Sequence, residues 1–207
     1  MRVRRRLVGT GSIASTNLSE NGERLYVSWL DYHAMEDVVS TNHRIIDSPL
    51  GELTLVAHNG VLAGLYFSDH VRGPDQKTFG SRAANGFEAA VQQLAEYFRG
   101  HRVEFDIPIA PRGTTFQQRV WTLLRAIPYG ETRTYGQLAR DMGNPALARE
   151  VGGANARNPI SIIVPCHRVI GADGRLTGYA GGLERKRFLL DLEGAPSAAQ
   201  IMMSGLS

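Results

Sequence analysis

Residues 162–170 read Ile-Ile-Val-Pro-Cys-His-Arg-Val-Ile and contain Cys166, the one cysteine in a chain of 207 residues. Only a few per cent of a free thiol is ionised at neutral pH, unless a nearby base or positive group lowers its pKa from ~8.5. His167 and Arg168 follow directly and are groups of that kind. A lone cysteine in an apolar run can also be an inert core residue. Pro165 favours the interpretation of Cys166 as a reactive residue, because it ends the predicted buried strand and puts the thiol on a bend.

Two further blocks flank this segment. Asn158-Pro159 precedes it, and residues 178–183, Gly-Tyr-Ala-Gly-Gly-Leu, follow it. Together with Pro165-Cys166-His167-Arg168-Val169 they resemble the active-site signature of the O6-alkylguanine-DNA alkyltransferases, also called methylated-DNA–protein-cysteine methyltransferases. The resemblance runs from about His43 to Gly194. It implies an enzyme that moves an alkyl group from DNA onto its own cysteine.

The composition limits the remaining classes of protein. It is 43% hydrophobic and 21% charged, as in ordinary soluble globular proteins. No apolar run approaches the ~20 residues of a membrane helix, so we expect no membrane partner. A single cysteine excludes an internal disulfide framework and makes a zinc site built from thiolates implausible, so we expect no metal and no cofactor. An essential thiol suits a reducing cytoplasm.

We predict four segments: a flexible N-terminal extension (1–42), a support domain (43–112), a DNA-binding and alkyl-acceptor domain (113–194) and a flexible tail (195–207). The arginines near the N-terminus are not followed by the apolar region of a signal peptide, and Met35 is a possible alternative start. The third segment carries 11 Lys and Arg against 7 Asp and Glu. This excess gives weak support for a polyanionic partner.

The predicted fold class is α+β. Three β-rich runs, residues 43–47, 52–57 and 61–67, read as an antiparallel meander whose second turn is the hairpin signal Asn59-Gly60. Apolar residues 3–4 positions apart from Phe87 to Phe98 predict a helix that Gly100 ends. The resemblance implies a ribonuclease-H-like domain for this half, and a helical domain resembling a winged helix-turn-helix for the next.

Three helices are predicted after the domain boundary. The first is capped by Thr114 or Thr115, the second follows Thr134, and the third starts near Pro145. The second and third form a helix-turn-helix, and the pattern alone does not separate a DNA-binding unit from a plain helical bundle. In the third helix we expect an inward face formed by Ala146, Leu147, Val151 and Ala154. The outward face would carry Arg149, Asn155 and Arg157.

Gly152 and Gly153 are unusual inside that third helix. Each costs about 1 kcal/mol relative to alanine, which the close approach of a backbone or of a nucleic-acid groove would offset. The resemblance implies that this helix enters the minor groove of double-stranded DNA. It further implies that Arg149 fills the gap left by an extruded nucleotide, and that Tyr135 presses on the neighbouring phosphate and donates to the flipped base.

The resemblance also assigns the chemistry. Cys166 would attack the alkyl carbon of O6-alkylguanine, and His167 would take its proton through a bridging water. Glu193 would accept a hydrogen bond from the imidazole and favour its charged form. Asn158 would hold two segments of the site together, and Arg168 would serve the structure by pairing with a carboxylate or capping carbonyls.

The base pocket follows from the same resemblance. Tyr179 would cover the base, the amide of Ala180 would donate to O6, and the carbonyls of Cys166 and Val169 would accept from the exocyclic amine. O4-alkylthymine is a second expected substrate. A thioether has no leaving group, so each molecule would react once. We expect a monomer and leave cooperative binding along DNA open.

Two positions depart from patterns in the family. Ala180 stands where many relatives carry serine, and Ser161 stands where some carry proline. Three other classes stay open beside the transferase: a lesion sensor that does not react, a hydrolase with a Cys-His-Glu site, and a sequence-specific regulator. The presence of Cys166 argues against the first, and the paired glycines argue against the second.

Overall fold

The computed structural model describes residues 17–18, 24–25, 40–71 and 73–196 of a chain that divides into two units, Met1–Val39 and Ser40–Ser207. The first unit contains a short antiparallel pair, β1 (Asn17–Leu18) and β2 (Arg24–Leu25). The predictions for Met35, for the rest of the extension before Ser40 and for the tail after Pro196 lie outside the described residues. No described helix has the length and apolar character needed to cross a bilayer.

A four-stranded sheet opens the second unit. Its first three strands are β3 (Thr41–Ile46), β4 (Leu53–His58) and β5 (Val61–Phe67), and they form the predicted antiparallel meander. Asn59 and Gly60 have φ angles of 49° and 76°, as a tight hairpin turn between β4 and β5 requires. A short strand, β6 (Ser81–Arg82), adds parallel to β3 and was not predicted.

The predicted helix follows as α1 (Glu88–Phe98). Gly100 adopts a φ of 73° just after it, which a side chain would make costly. Ala90, Leu94 and Tyr97 of α1 are buried in one core with the inner residues of the sheet. Residues 41–98 are thus a small, mainly antiparallel sheet covered by a helix, and are called the sheet domain below.

The C-terminal half is mainly helical, with α2 (Thr115–Arg125), α3 (Tyr135–Asp141) and α4 (Ala148–Asn155). Thr114 and Thr134 cap α2 and α3 through capping boxes, in which each cap side chain and a glutamine three residues later satisfy one another's backbone N–H groups. A single helical turn, Pro145–Leu147, joins α3 to α4. The predicted α+β class and the helix-turn-helix arrangement are confirmed.

Trp121 lies on α2. It is buried, and its Nε1 donates to the carbonyl of Ala154 at 3.0 Å. This bond holds α2 against α4. Conversely, Ala146 was predicted to face inward but is exposed, because it lies in the turn before α4 begins.

Two further predictions were wrong. Asn155 was expected on the outer face of α4, but it is 3% exposed and reaches the backbone of the thiol segment. The apolar run before Cys166 was expected to be a strand, yet only Ile160 forms a bridge, with Leu65, and residues 161–163 form a turn. The run is apolar because the turn is buried. Ile162 there has a φ of 71°, a strained value for a β-branched residue.

The chain then completes the site region. Cys166–Arg168 is one helical turn, and β8 (Val169–Ile170) pairs in parallel with β7 (Arg133–Thr134). Helix α5 (Leu183–Leu192) follows a loop and ends at Glu193. The thiol therefore lies between the helix-turn-helix and the last helix.

Candidate active site

Cys166 is 2% exposed and has an amide beside its sulfur. Nδ2 of Asn158 lies 3.1 Å from Sγ and donates to the carbonyl of Val164 at 2.8 Å. Its Oδ1 accepts from the backbone N–H of Ile160 at 3.1 Å. One side chain thus closes the buried turn and contacts the thiol at its end. Within the described residues, the side-chain hydrogen bonds of Asn158 all lie between residues 158 and 166, so its predicted role in joining two segments of the site stays a prediction.

The thiol is protonated at neutral pH. Burial raises the pKa of Cys166 to about 11, although the hydrogen bond from Asn158 and the positive charge of Lys186 oppose this. Four pKa units correspond to about 5 kcal/mol for forming the thiolate at pH 7. The expectation that the side chains of His167 and Arg168 lower this pKa was wrong, because both turn toward Glu193, although the backbone of His167 does lower it through a hydrogen bond.

His167 is fully buried and its Nε2 lies 2.9 Å from Oε1 of Glu193. A carboxylate can only accept, so we assign the proton of the neutral ring to Nε2 and leave Nδ1 as the acceptor. Nδ1 is buried and has no hydrogen-bond partner within the described residues. Burial lowers the pKa of His167 and outweighs the opposing effect of Glu193. The imidazole is therefore neutral at rest, although the hydrogen bond and the charge of Glu193 both raise its pKa and so favour the charged form.

The charge of Glu193 is balanced by Arg168 instead. Nε and Nη2 of Arg168 lie 2.8 Å and 2.9 Å from the two carboxylate oxygens, and Nη1 donates to the carbonyl of Ile127 at 2.5 Å. Burial raises the pKa of Glu193, but the hydrogen bonds from His167 and Arg168 outweigh it and bring the pKa to about 2. The predicted structural pairing of Arg168 with a carboxylate is confirmed.

Tyr97 gives Glu193 a further donor from the sheet domain. Its hydroxyl donates to Oε1 of Glu193 at 2.7 Å, and its ring is fully buried. In the sequence, Tyr97 looked like one more apolar position of α1. A buried tyrosine usually finds a partner for its hydroxyl, and that was the available signal.

Lys186 was also missed. It is fully buried, and its Nζ donates to the carbonyls of Val169 at 2.6 Å and Thr177 at 2.7 Å. Burial lowers its pKa to about 8, while the neighbouring Cys166 opposes the shift. It follows Glu184 and Arg185 in the sequence, and that charged run looks like an exposed helix start. No local pattern separates Lys186 from its exposed neighbours.

Residues 177–182, here named the covering loop, carry two predicted base contacts. Tyr179 is 8% exposed, and its ring meets those of His167 and Phe67 edge-on, with centroids 6.5 Å and 6.0 Å away. The carbonyl of Ala180 accepts from the N–H of Val71 at 2.9 Å. The loop therefore meets the thiol site through the Tyr179 ring, which lies edge-on to the imidazole of His167.

Strand β5 contacts both the segment before Cys166 and the covering loop. The N–H of Leu65 donates to the carbonyl of Pro159 at 2.8 Å, and its carbonyl accepts from Ser161 at 3.2 Å. Phe67, at the end of the same strand, packs on Tyr179. One strand of the sheet domain thus supports both the cysteine segment and the covering loop.

The predicted DNA-contacting residues lie on α3 and α4. Arg149 is exposed and Gly152 and Gly153 are half-exposed. A Cβ at Gly152 would lie 3.7 Å from the Tyr135 ring, and one at Gly153 would lie 3.5 Å from Arg157. Both are ordinary contacts, so packing within the chain does not require either glycine.

Tyr135 begins α3 and connects this surface to the covering loop. Its hydroxyl lies 3.4 Å from the carbonyl of Thr177. Asn155, at the end of α4, makes a second connection, to the carbonyl of Cys166 at 3.4 Å. The structure therefore groups Cys166, His167, Glu193, Asn158, Val169 and Tyr179 around the thiol, with Arg149 on the outer surface of the adjoining helix. Within the described ranges, no cluster of three or more His, Cys, Asp or Glu could hold a metal ion.

Comparison with known proteins agrees with this arrangement. Two family models match: the ribonuclease-like domain of 6-O-methylguanine DNA methyltransferase over residues 42–111, and the DNA binding domain of the same enzyme over residues 115–195. A Mycobacterium tuberculosis protein named methylated-DNA–protein-cysteine methyltransferase is 51% identical over 162 residues, covering 78% of this chain and 98% of the relative. A Methanosarcina acetivorans protein of the same name is 49% identical over 159 residues, covering 74% and 98%.

Solved structures agree as well. The O6-methylguanine methyltransferase of Mycobacterium tuberculosis superposes with a TM-score of 0.70 at 50% identity, covering 79% of this chain and 99% of that one. The OGT protein of the same organism, solved in complex with DNA, gives a TM-score of 0.70 at 51% identity, covering 78% and 99%. A ribonuclease-like domain, a helix-turn-helix domain and a buried Cys-His-Glu site together define a cysteine-dependent methyltransferase of the DNA-repair class. The chain belongs to the methylated-DNA–protein-cysteine methyltransferase family, as the sequence resemblance predicted.

Proposed function

We propose that this protein repairs alkylated duplex DNA by moving the alkyl group of O6-alkylguanine, and also of O4-alkylthymine, onto Cys166. The observation that carries the proposal is the buried sulfur of Cys166, held by Asn158 beside a neutral His167 that is itself bonded to Glu193. The names of the relatives, and the DNA complex of one of them, support the substrate class.

The protonation states of Cys166 and His167 support His167 as the general base. The thiol is neutral at rest, and Nδ1 of His167 is the ring atom with a lone pair to offer. As the S–C bond forms and the C–O bond breaks, the thiol proton passes to Nδ1, directly or through a water. The departing guanine then takes up that proton from the imidazolium, directly or through a water, so His167 returns to its neutral form and the overall charge is unchanged. Glu193 stabilises the imidazolium while it exists.

Base flipping supplies the access that this chemistry needs. The alkyl carbon of a stacked guanine cannot reach a sulfur that is 2% exposed, so the nucleotide must leave the duplex, at a cost of a few kcal/mol. We assign Arg149 to the gap in the stack and Tyr135 to the neighbouring phosphate and the flipped base. Gly152 and Gly153 would let α4 lie deep in the minor groove.

The base pocket is assigned to groups around the sulfur. Tyr179 would cover the base and the N–H of Ala180 would donate to O6. The carbonyls of Cys166 and Val169 would accept from the exocyclic amine. The Val169 carbonyl already accepts from Lys186 at 2.6 Å, and a carbonyl oxygen has a second lone pair for the base.

Each molecule is proposed to react once, as a monomer. The product is a thioether, which has no leaving group, and Cys166 is the one thiol in the sequence. In this scheme residues 43–112 support the site and residues 113–194 bind DNA and accept the alkyl group. The extension 1–42 and the tail 195–207 have no assigned part.

The test is the number of lesions repaired per protein molecule. Duplex DNA with O6-methylguanine is incubated in excess with the protein, and its nucleosides are then quantified by chromatography. We expect one O6-methylguanine converted to guanine per protein and none with Cys166→Ser. Continued turnover would indicate a hydrolase, whereas lesion binding without conversion would indicate a sensor.

A further inference from the structure

Arg185 lies where α5, the covering loop and the sheet domain meet. Its Nε donates to the carbonyl of Leu50 at 2.9 Å. Its Nη1 donates to the carbonyl of Gly181 at 2.8 Å and to Oδ1 of Asp69 at 2.5 Å. One side chain therefore connects the loop that carries Tyr179 to two points of the sheet domain.

The guanidinium also stacks on the aromatic ring that supports Tyr179. Cζ of Arg185 lies 4.8 Å from the centroid of Phe67, within the range of a cation–π contact. A Cβ at Gly181 would lie 2.5 Å from the same ring, so the loop backbone packs directly against Phe67. The contacts of Arg185 thus hold the loop where its backbone touches the sheet domain.

The covering loop has little regular structure of its own. Gly178 and Gly182 have φ angles of 41° and 86°, and both are exposed. Besides Arg185, the bond from Val71 to Ala180 ties its middle to the sheet domain. A short loop with glycines near both ends can open at modest cost when such contacts are lost.

We propose that Arg185 is a positioning residue that latches the covering loop onto the sheet domain and so sets how the loop meets a flipped base. The inference rests on the proposed function, in which Tyr179 and Ala180 contact that base. The half-buried contacts to Gly181, Leu50 and Phe67 carry the latch. The ion pair to Asp69 adds little, because the Asp69 side chain is 67% exposed.

Hydrogen–deuterium exchange without DNA tests the latch itself. Arg185→Ala should speed exchange in peptides covering residues 177–182 and in the N–H of Val71 by about tenfold, the effect of losing one charge-assisted hydrogen bond. Arg187→Ala, an exposed arginine on the same helix, is the matched control and should match wild type. Equal exchange in the two variants would overturn the proposal.

Two further variants separate the contacts. Arg185→Lys should restore little protection, because an ammonium cannot reach two carbonyls while stacking on Phe67. Asp69→Asn should change exchange by less than about threefold, as expected for an exposed ion pair. An Asp69→Asn effect as large as that of Arg185→Ala would contradict the assignment to the loop contacts.

Single-turnover kinetics with methylated duplex in excess test the consequence. Arg185→Ala should lower the saturating rate about tenfold, whereas the half-saturating DNA concentration should stay within about twofold, because α4 is untouched. A rise in that concentration with an unchanged saturating rate would overturn the positioning role. A wild-type protein that transfers no alkyl group would refute the proposed function. Hydrogen–deuterium exchange is measured without substrate, so it would still test the latch in that case.

Discussion

Asn158 and Cys166 are joined by a hydrogen bond of 3.1 Å from the side-chain amide to the sulfur. The same amide donates to the carbonyl of Val164, so the group that steadies the sulfur also builds the turn that delivers it. A thiol with a pKa near 11 gains from every donor that favours its anion. We therefore expect the Asn158 amide both to stabilise the turn and to stabilise the thiolate during the reaction.

Asn158→Ala should slow alkyl transfer by at least about tenfold, because a hydrogen bond to a charged group contributes about 1.5–3 kcal/mol. The matched control is Asn155→Ala, since Asn155 contacts the carbonyl of Cys166 and not its sulfur. Single-turnover rates on methylated duplex measure the difference, and thermal unfolding verifies that both variants fold. Equal rates for the two variants would remove the proposed role of the Asn158 amide.

Lys186→Met should raise the pKa of Cys166 further, because the positive charge of Lys186 lowers it in the wild type. The change also removes the donor to Val169 and Thr177, so we expect a slower transfer. The thiolate absorbance of the folded protein as a function of pH measures the pKa. Arg187→Met, which removes an exposed charge from the same helix, should leave the titration where it is.

The lowered pKa of Glu193 predicts how the free energy of unfolding depends on pH in acid. Its pKa is lowered from 4.5 to about 2, so it stabilises the fold above pH ~4.5, and this contribution is lost as the pH falls through 2. The shift corresponds to roughly 3 kcal/mol at neutral pH. Glu193→Gln should lower the free energy of unfolding at pH 7, because it leaves Arg168 buried without a counter-charge.

Denaturant unfolding at a series of pH values measures this effect. The difference between wild type and Glu193→Gln should shrink as the pH falls from 4.5 toward 2. A difference that stays constant across that range would contradict the assignment of an ionised Glu193.

Gly152→Ala and Gly153→Ala separate stability from DNA binding. Each should stabilise α4 by up to about 1 kcal/mol, because a Cβ at either position makes only ordinary contacts. Each should also weaken binding to duplex DNA, because α4 could no longer approach the groove as closely. Denaturant unfolding and DNA titration on the same samples measure the two effects. Tighter or unchanged DNA binding would show that the glycines do not serve the groove.

The sequence patterns predicted the local parts of the fold well. Capping residues such as Thr114 and Thr134, the hairpin Asn59-Gly60 and the periodicity of α1 are short-range signals, and the structure has each of them. The family resemblance supplied the grouping of Cys166, His167 and Glu193. Glu193 lies 27 positions after Cys166 and 26 after His167. No periodic pattern in the sequence predicts a contact across that separation.

Long-range burial explains what the sequence did not predict. The apolar run before Cys166 forms a turn because Asn158 satisfies its backbone groups, which a run of side-chain types does not encode. Lys186 and Tyr97 join the site only because distant segments close around them. The protonation states of Cys166 and His167 also depend on burial, which leaves both side chains neutral at rest and reversed the expectation of a lowered thiol pKa.

The most direct test of the account is where the methyl group goes. Intact-protein mass spectrometry after incubation with an excess of duplex carrying O6-methylguanine, followed by peptide mapping, locates it. We predict one added methyl group per molecule, on Cys166, with no further uptake at longer times and none in Cys166→Ala. A protein that clears the lesion while Cys166 stays unmodified would contradict the account.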